Sequence, residues 1–524
     1  MVSRSRSASP AANVRVKPLP TDSRTSSSST SSAVETTTAG DELVGRLTPL
    51  EPSRSLNWFE PYTMLILALI AAATRFWNIA EPRGIVFDEL HFGKFVQWTL
   101  DSWFYFDIHP PLAKQTLAVL GWLWGYDHKK CDYEPPAGAS RMYGDECEYW
   151  KLRAIVAAFS VGACVLMYPI ARRFGASPAG AILASAFEIF SIMHNVEGRL
   201  VLLNSQLIFW LNACLFAGQC WFARANRGPM SIKERVAWSV GVGFLAGNAF
   251  SVKHTGLGTP AIVGVEGALG IFFLNQPLPF ADLLLYVVTM MSTYAVYFAF
   301  HLGNVKHAHL TLHQEEEFMT KEYQALLPGS NSYDPSTIRT EGFWSTFYSV
   351  NRRMVVHSNA ITQAHNWGTR PFDWLVNSRG VSYWGSTNGA DGGEKTTTVY
   401  LFSNPAGVLI VLFSILLLGG LYSVQLRTKH YGKGKAMLDV FRAYWNPIVP
   451  SITFCLLGEG GEGGHFFLYY VLHVLTPSPP PPPSFLLSRL VVQPFTLCSS
   501  CTHLFCIPLH ACVSIRTLDS RTNR

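Results

Sequence analysis

Long apolar runs alternate with short polar segments through most of the chain. The runs are roughly 18 to 22 residues long, which is the length of an α-helix that crosses the hydrocarbon core of a membrane. They predict spanning helices at about Trp58–Trp77, Tyr149–Ile170, Ala179–Met193, Leu200–Phe222, Ala237–Val252, Pro260–Leu274, Phe280–Phe300, Pro405–Val424 and Trp445–Leu457. A shorter apolar segment, Leu112–Trp124, predicts a helix that lies at the membrane interface. The pattern therefore predicts an all-α polytopic membrane protein.

Basic residues follow the predicted helices that end near Ile170, Phe222 and Val424. Lys and Arg are enriched in the cytosolic loops of membrane proteins. If the N-terminal tail is cytosolic, these basic loops are all cytosolic as well. The polar loops 80–148 and 301–400 then lie on the opposite side of the membrane.

Three segments of the chain differ in composition. Residues 1–56 are rich in Ser, Thr, Pro and Arg, which predicts a disordered cytosolic tail. Residues 57–457 contain the predicted helices and form the membrane domain. Residues 458–524 contain Gly-rich and Pro-rich runs and clustered cysteines. For this last segment we expect an atypical low-complexity C-terminal tail with no function of its own.

Composition narrows the class of protein further. Apolar residues make up 48% of the chain and charged residues 15%, which argues against a set of soluble domains. The net charge of +6 does not indicate nucleic-acid binding, because the basic residues lie in short loops between apolar runs. Cys131 and Cys147 both lie in loop 80–148, where an oxidising lumen permits a disulfide. Two free thiols are the alternative.

The segment Gly84–Gln115, here called the acidic-aromatic strip, directly follows the first spanning helix. It combines Asp88 and Glu89 with His91, His109 and many aromatic side chains, a mixture that is typical of a membrane interface. Two adjacent carboxyl groups titrate at different pH, so one can act as a general base while the other orients it. The alternative is the acidic first turn of a helix, which the pattern of the following residues also fits.

Three cationic residues, Arg153, Arg199 and Lys253, lie at the ends of predicted helices near the same side of the membrane. Together they suit a phosphate or pyrophosphate, which they can bind through charge-assisted hydrogen bonds. Taken singly, each is typical of a long side chain that reaches the interface. His365 and Arg370, in the segment HNWGTRPFDW, are further candidates, and a loop that lies on the membrane explains them equally well. No metal site is assigned from the sequence.

Several segments, in order, resemble the protein O-mannosyltransferase family. Between about residues 58 and 425 they are FDELHFGKF, FDIHPPLAK, KLRAIVA, GRLVLLNSQLIFW, SVKHTGLGT, EEFMTKEYQALLPGS, HNWGTRPFDW and YLFSNPAGVL. The resemblance implies a GT-C-type transmembrane helix bundle with interfacial helices in the first luminal loop. It also implies transfer of mannose from dolichyl phosphate mannose to Ser or Thr hydroxyls of proteins. The expected place is the luminal face of the endoplasmic reticulum membrane, and the expected outcome is inversion at the anomeric carbon.

The resemblance also implies roles for the candidate residues. Asp88 would be the general base, and Glu89 its neighbour in positioning the acceptor or donor. Arg153, Arg199 and Lys253 would hold the phosphate of the polyprenyl-linked sugar donor. The secondary site candidates are His91, His109, His365 and Arg370. The sequence requires no cofactor beyond the donor, and the resemblance adds a homologous transferase subunit as a possible dimer partner.

Two features depart from the family pattern. Asn204 stands where an acidic residue is usual in the family's Arg-hydrophobic-Leu-Leu-Asp/Glu-Ser segment. In addition, eukaryotic members carry three MIR repeats between two of these segments. Here only residues 331–345 lie between the two segments, so the repeats are absent. Two alternatives therefore stay open, a catalytically inactive partner subunit and a GT-C transferase with another acceptor. A transporter is not favoured, because it predicts broken helices in internally repeated halves and we find no such repeat.

Overall fold

The computed structural model describes residues 58–133, 142–173, 176–273, 278–308, 318–338, 342–360, 380–388 and 395–401, with four isolated positions between 409 and 420. The predicted tails 1–56 and 458–524 lie outside the described residues, as do the predicted helix Trp445–Leu457 and nearly all of Pro405–Val424. The site candidates His365 and Arg370 also lie outside them. All of these stay predictions.

The described residues are mainly helical. The helices are α1 (Glu60–Phe76), α2 (Glu89–Leu100), α3 (Leu112–Leu123), α4 (Tyr149–Arg173), α5 (Pro178–Phe190), α6 (Ile192–Glu197), α7 (Asn204–Ala225), α8 (Ile232–Val252), α9 (Gly258–Phe273), α10 (Phe280–Asn304), α11 (Lys321–Leu326) and α12 (Phe343–Ala360). Short 3-10 turns occupy His128–Lys130 and His254–Leu257. Strands β1 (Val381–Asn388) and β2 (Lys395–Leu401) pair antiparallel as a hairpin, with Val381 opposite Leu401.

The helices confirm the predicted all-α membrane class in its main part. Within the described ranges, α4, α7 and α10 are long and apolar enough to cross a membrane, and α5 is a shorter apolar helix. Helix α3 lies where an interfacial helix was expected. Loop 301–400 differs from the expectation of a polar loop, because it contains α11, α12 and the β1–β2 hairpin.

Two of the predicted helix boundaries were wrong, and serine caps explain the differences. The predicted helix Ala179–Met193 is divided into α5 and α6, because Ser191 is extended and its Oγ accepts a hydrogen bond from the His194 amide at 3.4 Å. Helix α8 begins at Ile232 instead of near Ala237, because the Ser231 Oγ accepts from the Glu234 amide at 3.3 Å. A serine at this position satisfies an amide that the first helical turn leaves unpaired.

A buried arginine at the end of α1 joins four helices. The Arg75 side chain is fully buried and donates to the Ser160 Oγ on α4 at 3.0 Å. It also donates to the Ile189 carbonyl of α5 at 2.6 Å and to the Asn195 Oδ1 of α6 at 2.6 Å. An arginine can satisfy this many acceptors at once because its guanidinium carries five N–H donors. These contacts position the end of α1, and so the start of the chain segment that leads to the acidic-aromatic strip.

Small residues on one face of α8 allow it to pack closely against α10. Ser239, Gly243, Gly247 and Ser251 recur every fourth residue and are all buried. Such a stripe lets two helix backbones approach each other inside a membrane. A Cβ at Gly243 would lie 2.6 Å from the carbonyl oxygen of Tyr286 on α10, so there is no room for a larger residue.

The substitution Gly247→Val should lower the melting temperature of the detergent-solubilised protein. A Cβ at this position would lie 2.5 Å from the Thr293 Cβ and 2.8 Å from the Met290 carbonyl oxygen. Overpacking of this kind costs about 1–3 kcal/mol. Thermal unfolding followed by tryptophan fluorescence measures the loss. Gly241→Ala is the matched control on the same helix, because nothing lies within 4 Å of its Cβ, and equal melting of the two variants would contradict the packing.

Candidate active site

Asp88 lies at the junction between the loop that follows α1 and the start of α2. It precedes the first helical residue, but its side chain makes no capping hydrogen bond, and the residue is only partly buried. The preceding residue, Phe87, has a φ of +50°, in the left-handed region that bulky residues rarely adopt. The Phe87 ring stacks on the ring of Tyr383 in β1, with centroids 4.2 Å apart. The backbone that leads into Asp88 is thus fixed at Phe87. The Asp88 carboxylate does not cap helix α2.

The surroundings of Asp88 raise its pKa above the ordinary carboxyl value. Burial is the main cause, and the nearby charges of Asp107 and Glu197 add to it. His91 and Lys253 act in the opposite direction. A carboxylate with a raised pKa is a stronger base than an exposed one.

Glu89, the second acid of the pair, is completely buried and fully hydrogen-bonded. Its Oε2 accepts from the Val86 amide at 2.9 Å, from the Tyr143 hydroxyl at 3.3 Å and from an Arg153 amino group at 2.7 Å. Its Oε1 accepts from the Arg153 Nε at 2.8 Å and from the Val201 amide at 2.9 Å. A carboxylate in this position anchors the chain on either side of it and has no surface for substrate.

Arg153 is the buried partner of Glu89. It is completely buried, and besides Glu89 it donates to the carbonyl oxygens of Pro82 at 2.8 Å and Gly84 at 3.1 Å. Its guanidinium also lies 4.8 Å from the centre of the Tyr149 ring. In the structure Glu89 and Arg153 bind each other and nearby backbone groups, and the roles expected for them in positioning a substrate and in binding a phosphate stay predictions. The pair holds the acidic-aromatic strip against α4.

Arg199 lies against the end of α1. It donates to the carbonyl oxygens of Trp77 and Asn78, the latter at 3.0 Å, and remains partly exposed. A cation in this place interacts favourably with the carbonyl end of a helix. Burial lowers the Arg199 pKa, and the charges of Arg153 and Arg75 lower it further. Among the three predicted phosphate ligands, Arg199 is thus partly exposed to solvent. Its guanidinium also holds the end of α1 in place.

Lys253 lies at the end of α8, is 5% exposed and acts electrostatically on Asp88. Its Nζ donates to the Asn204 Oδ1 at 2.5 Å, and the Asn204 Nδ2 donates to the Glu197 Oε2 at 2.9 Å. The Glu197 Oε1 accepts from the Tyr383 hydroxyl at 3.0 Å. Sequence reasoning did not identify Glu197 or Tyr383. The only local signal is that Glu197 lies in the same short segment as Arg199.

The two predicted histidines occupy different surroundings. His91 is exposed on the first turn of α2 and acts on the charge of Asp88. His109 is buried, and its pKa is well below the ordinary value because of burial and of the charges of Lys253 and Lys114. Lys114 donates to Asp107 at 2.5 Å and to the His109 carbonyl at 2.8 Å, which holds the second half of the strip onto α3. Burial and the two lysine charges thus disfavour the charged form of His109.

Cys131 and Cys147 are joined as a disulfide, with the sulfurs 1.97 Å apart. The bond closes the part of loop 80–148 that precedes α4. Among the residues that the structure describes, no group of three or more His, Cys, Asp or Glu side chains is arranged to hold a metal ion.

Two family models match the chain in order. Residues 65–303 match the model described as dolichyl-phosphate-mannose-protein mannosyltransferase. Residues 343–459 match the C-terminal four TMM region of protein-O-mannosyltransferase. The chain belongs to the protein O-mannosyltransferase family. The first match contains the whole acidic-aromatic strip, together with Glu197, Asn204 and Lys253.

Curated relatives and a solved structure agree with the family. Dolichyl-phosphate-mannose--protein mannosyltransferase 4 of Schizosaccharomyces pombe is 31% identical over 214 residues, which are 40% of this chain and 26% of the relative. Protein O-mannosyl-transferase 2 of Drosophila melanogaster is 26% identical over 57% of this chain and 40% of its own length. The chain thus spans well under half of these relatives.

The fold of this chain is similar to the fold of one chain in the structure of the Saccharomyces cerevisiae protein O-mannosyltransferase Pmt1-Pmt2 complex bound to the sugar donor. The TM-score is 0.63 at 16% identity, over 86% of this chain and 89% of that chain. This likeness confirms the predicted GT-C-type membrane fold.

Replacing Glu89 by Ala should reduce the stability of the protein as well as its activity. The change leaves the Arg153 guanidinium buried without its carboxylate, and breaking a buried pair in this way costs about 3–5 kcal/mol. The melting temperature and the yield of folded protein in detergent measure the effect. Glu146→Gln is the control, because this acid is exposed and lies 3.8 Å from Lys130 at the surface. A Glu89→Ala protein that melts normally but is inactive would restore Glu89 as a substrate-binding group.

Proposed function

We propose that the protein transfers mannose from dolichyl phosphate mannose to Ser or Thr hydroxyls of acceptor proteins, with Asp88 as the general base. The observation that carries the proposal is the partly exposed Asp88 carboxylate, which has a raised pKa and lies within the electrostatic influence of Lys253. Family membership supports the donor and the reaction class. Neighbouring Glu89 is not proposed as the base, because its carboxylate is completely buried and accepts hydrogen bonds from Arg153 and from the Val201 amide.

The proposed reaction is a single displacement at the anomeric carbon. Asp88 accepts the proton of the acceptor hydroxyl while the hydroxyl oxygen forms a bond to the anomeric carbon from the face opposite the phosphate. The bond from that carbon to the phosphate oxygen breaks, and the electron pair leaves with dolichyl phosphate, so that the configuration inverts. A phosphate needs no general acid to leave, unlike the leaving group of an inverting glycosidase. Lys253 and the exposed part of Arg199 stabilise the charge that develops on it.

The proposed location is the membrane of the endoplasmic reticulum, with the N-terminus in the cytosol and Asp88 at the luminal face. The basic loops after the predicted helices support this orientation. The similar solved structure is a complex of two transferases, and a homologous transferase subunit is therefore the partner we propose. Asn204 motivates the alternative that this chain is an inactive subunit of such a pair.

Replacing Asp88 by Asn should reduce mannose transfer by about 10²–10⁴-fold, the usual contribution of a general base. The assay follows transfer from dolichyl phosphate mannose to a Ser/Thr peptide in microsomes that carry the variant. Asp101→Asn is the matched control, because Asp101 flanks the other end of α2 and pairs with His128 at 2.9 Å.

The outcomes of this assay separate the two candidate functions. Full transfer by Asp88→Asn would overturn the assignment of the base. Absence of transfer by the wild type, tested both alone and with a homologous transferase subunit, would overturn the enzymatic function. Transfer by the pair that survives Asp88→Asn would favour the inactive-subunit alternative.

The pH dependence should respond to His91→Asn. The charge of His91 lowers the pKa of Asp88, so replacing His91 raises that pKa and moves the acidic limb of the pH–rate profile to higher pH. His91 is exposed, and its replacement is expected to leave folding intact. Rates measured between about pH 4 and 8 locate the limb. A limb that stays in place, or moves to lower pH, would show that Asp88 is not the titrating base.

A further inference from the structure

The hydrogen bonds around Asn204 link a buried cation to a buried anion. Lys253 and Glu197 are 5% and 8% exposed, and the Asn204 amide lies between them. Its oxygen accepts from the Lys253 Nζ at 2.5 Å, and its nitrogen donates to the Glu197 Oε2 at 2.9 Å. An ammonium group only donates and an ionised carboxylate only accepts, so a side chain that bridges them must do both.

A carboxylate at position 204 would not fit beside Glu197 as the chain stands. Two ionised carboxylates at a hydrogen-bond distance repel each other, and one of them has to take up a proton. With Asn at 204, the unit contains one positive and one negative charge. Burial of a lone ammonium is unfavourable, so the Glu197 charge stabilises the position of Lys253.

We propose that Glu197 and Asn204 act as one acidic unit that positions Lys253 beside Asp88, and that its single carboxylate can stand at either of the two positions. In this chain Glu197 supplies the carboxylate, and the Asn204 amide connects it to the ammonium group of Lys253. Glu197 and Asn204 are thus positioning residues. The inference rests on the proposed function, because it assigns Lys253 to the donor phosphate.

The unit also balances the electrostatic effect of Lys253 on the proposed base. Lys253 and Glu197 act on the charge of Asp88 with opposite signs. Without the Glu197 carboxylate, the ammonium would be drawn towards Asp88, the base would be neutralised by a salt bridge, and its pKa would fall. Loss of Glu197 should therefore reduce the rate and also move the acidic limb of the pH–rate profile to lower pH.

The hydrogen-bond pattern allows the two side chains to be exchanged. In the double variant Glu197→Gln, Asn204→Asp, one oxygen of the introduced aspartate can accept from Lys253. Its other oxygen can accept from the amide nitrogen of the introduced glutamine. The amide oxygen of that glutamine can still accept from the Tyr383 hydroxyl, which in the wild type donates to Glu197 at 3.0 Å. Every donor keeps an acceptor, and the number of charges is unchanged.

The experiment compares Glu197→Gln, Asn204→Asp and the double variant in the microsomal mannose-transfer assay. We expect Glu197→Gln to lose about tenfold or more of kcat/KM, which is the scale of a misplaced charge at a phosphate site. The double variant should recover most of this loss and return the acidic limb of the pH–rate profile to its wild-type position. A rescue that depends on both substitutions is not expected from a merely structural role.

Glu188→Gln is the matched control, because Glu188 is a buried acid that lines the same small cavity as Glu197 but contacts His194 at 2.7 Å. Asn204→Asp should not rescue it. Wild-type-like kcat/KM in Glu197→Gln, or a folded double variant that shows no recovery, would overturn the proposal.

Melting temperatures of the wild type, the two single variants and the double variant test the charge pairing without any activity. The double variant should melt closer to the wild type than either single variant does, and additive losses would contradict the unit. If the wild type transfers no mannose, the proposed function fails while this measurement still decides the pairing.

Discussion

The buried ion pair of Glu89 and Arg153 is the interaction on which the site depends. It fixes the first residue of α2, two carbonyl oxygens of the preceding loop and the amide of Val201 around one point on α4. Asp88 precedes Glu89 directly, so the location of the proposed base follows from the location of its buried neighbour. Because the pair is inaccessible to water, its attraction is only weakly screened by salt.

The acidic pair of Asp88 and Glu89 shows which features of the site could be predicted from the sequence and which could not. An Asp-Glu dipeptide beside a membrane helix indicated a site, and α1 and α3 were recognised because their apolar residues are continuous in the chain. The complete burial of Glu89 and the partial exposure of Asp88 could not be predicted, because they depend on which carboxylate faces Arg153 and Val201. The packing of α4 and of the segment before α7 determines which carboxylate is buried. The sequence alone does not distinguish the two adjacent acids in this respect.

Other features were missed because their partners are distant in the chain. Tyr383 and Glu197 are 186 residues apart, and no local pattern connects them. Helix α12 lies in a segment predicted to be a polar loop, because its exposed face carries Trp344 and Tyr348 and its buried residues, such as Val350 and Met354, are widely spaced. Lys253, by contrast, could be expected on the same side of the membrane as the acidic pair, because a cation at the end of an apolar helix is restricted to the membrane surface.

The contact between the β1–β2 hairpin and the strip has a consequence for biosynthesis. Phe87 stacks on Tyr383, and Glu197 accepts a hydrogen bond from the same tyrosine. A ribosome makes the strip and the first spanning helices long before it reaches this tyrosine. The surroundings of Asp88 are therefore completed late, after most of the membrane helices have been made, and a growing chain lacks this finished arrangement during most of its own synthesis.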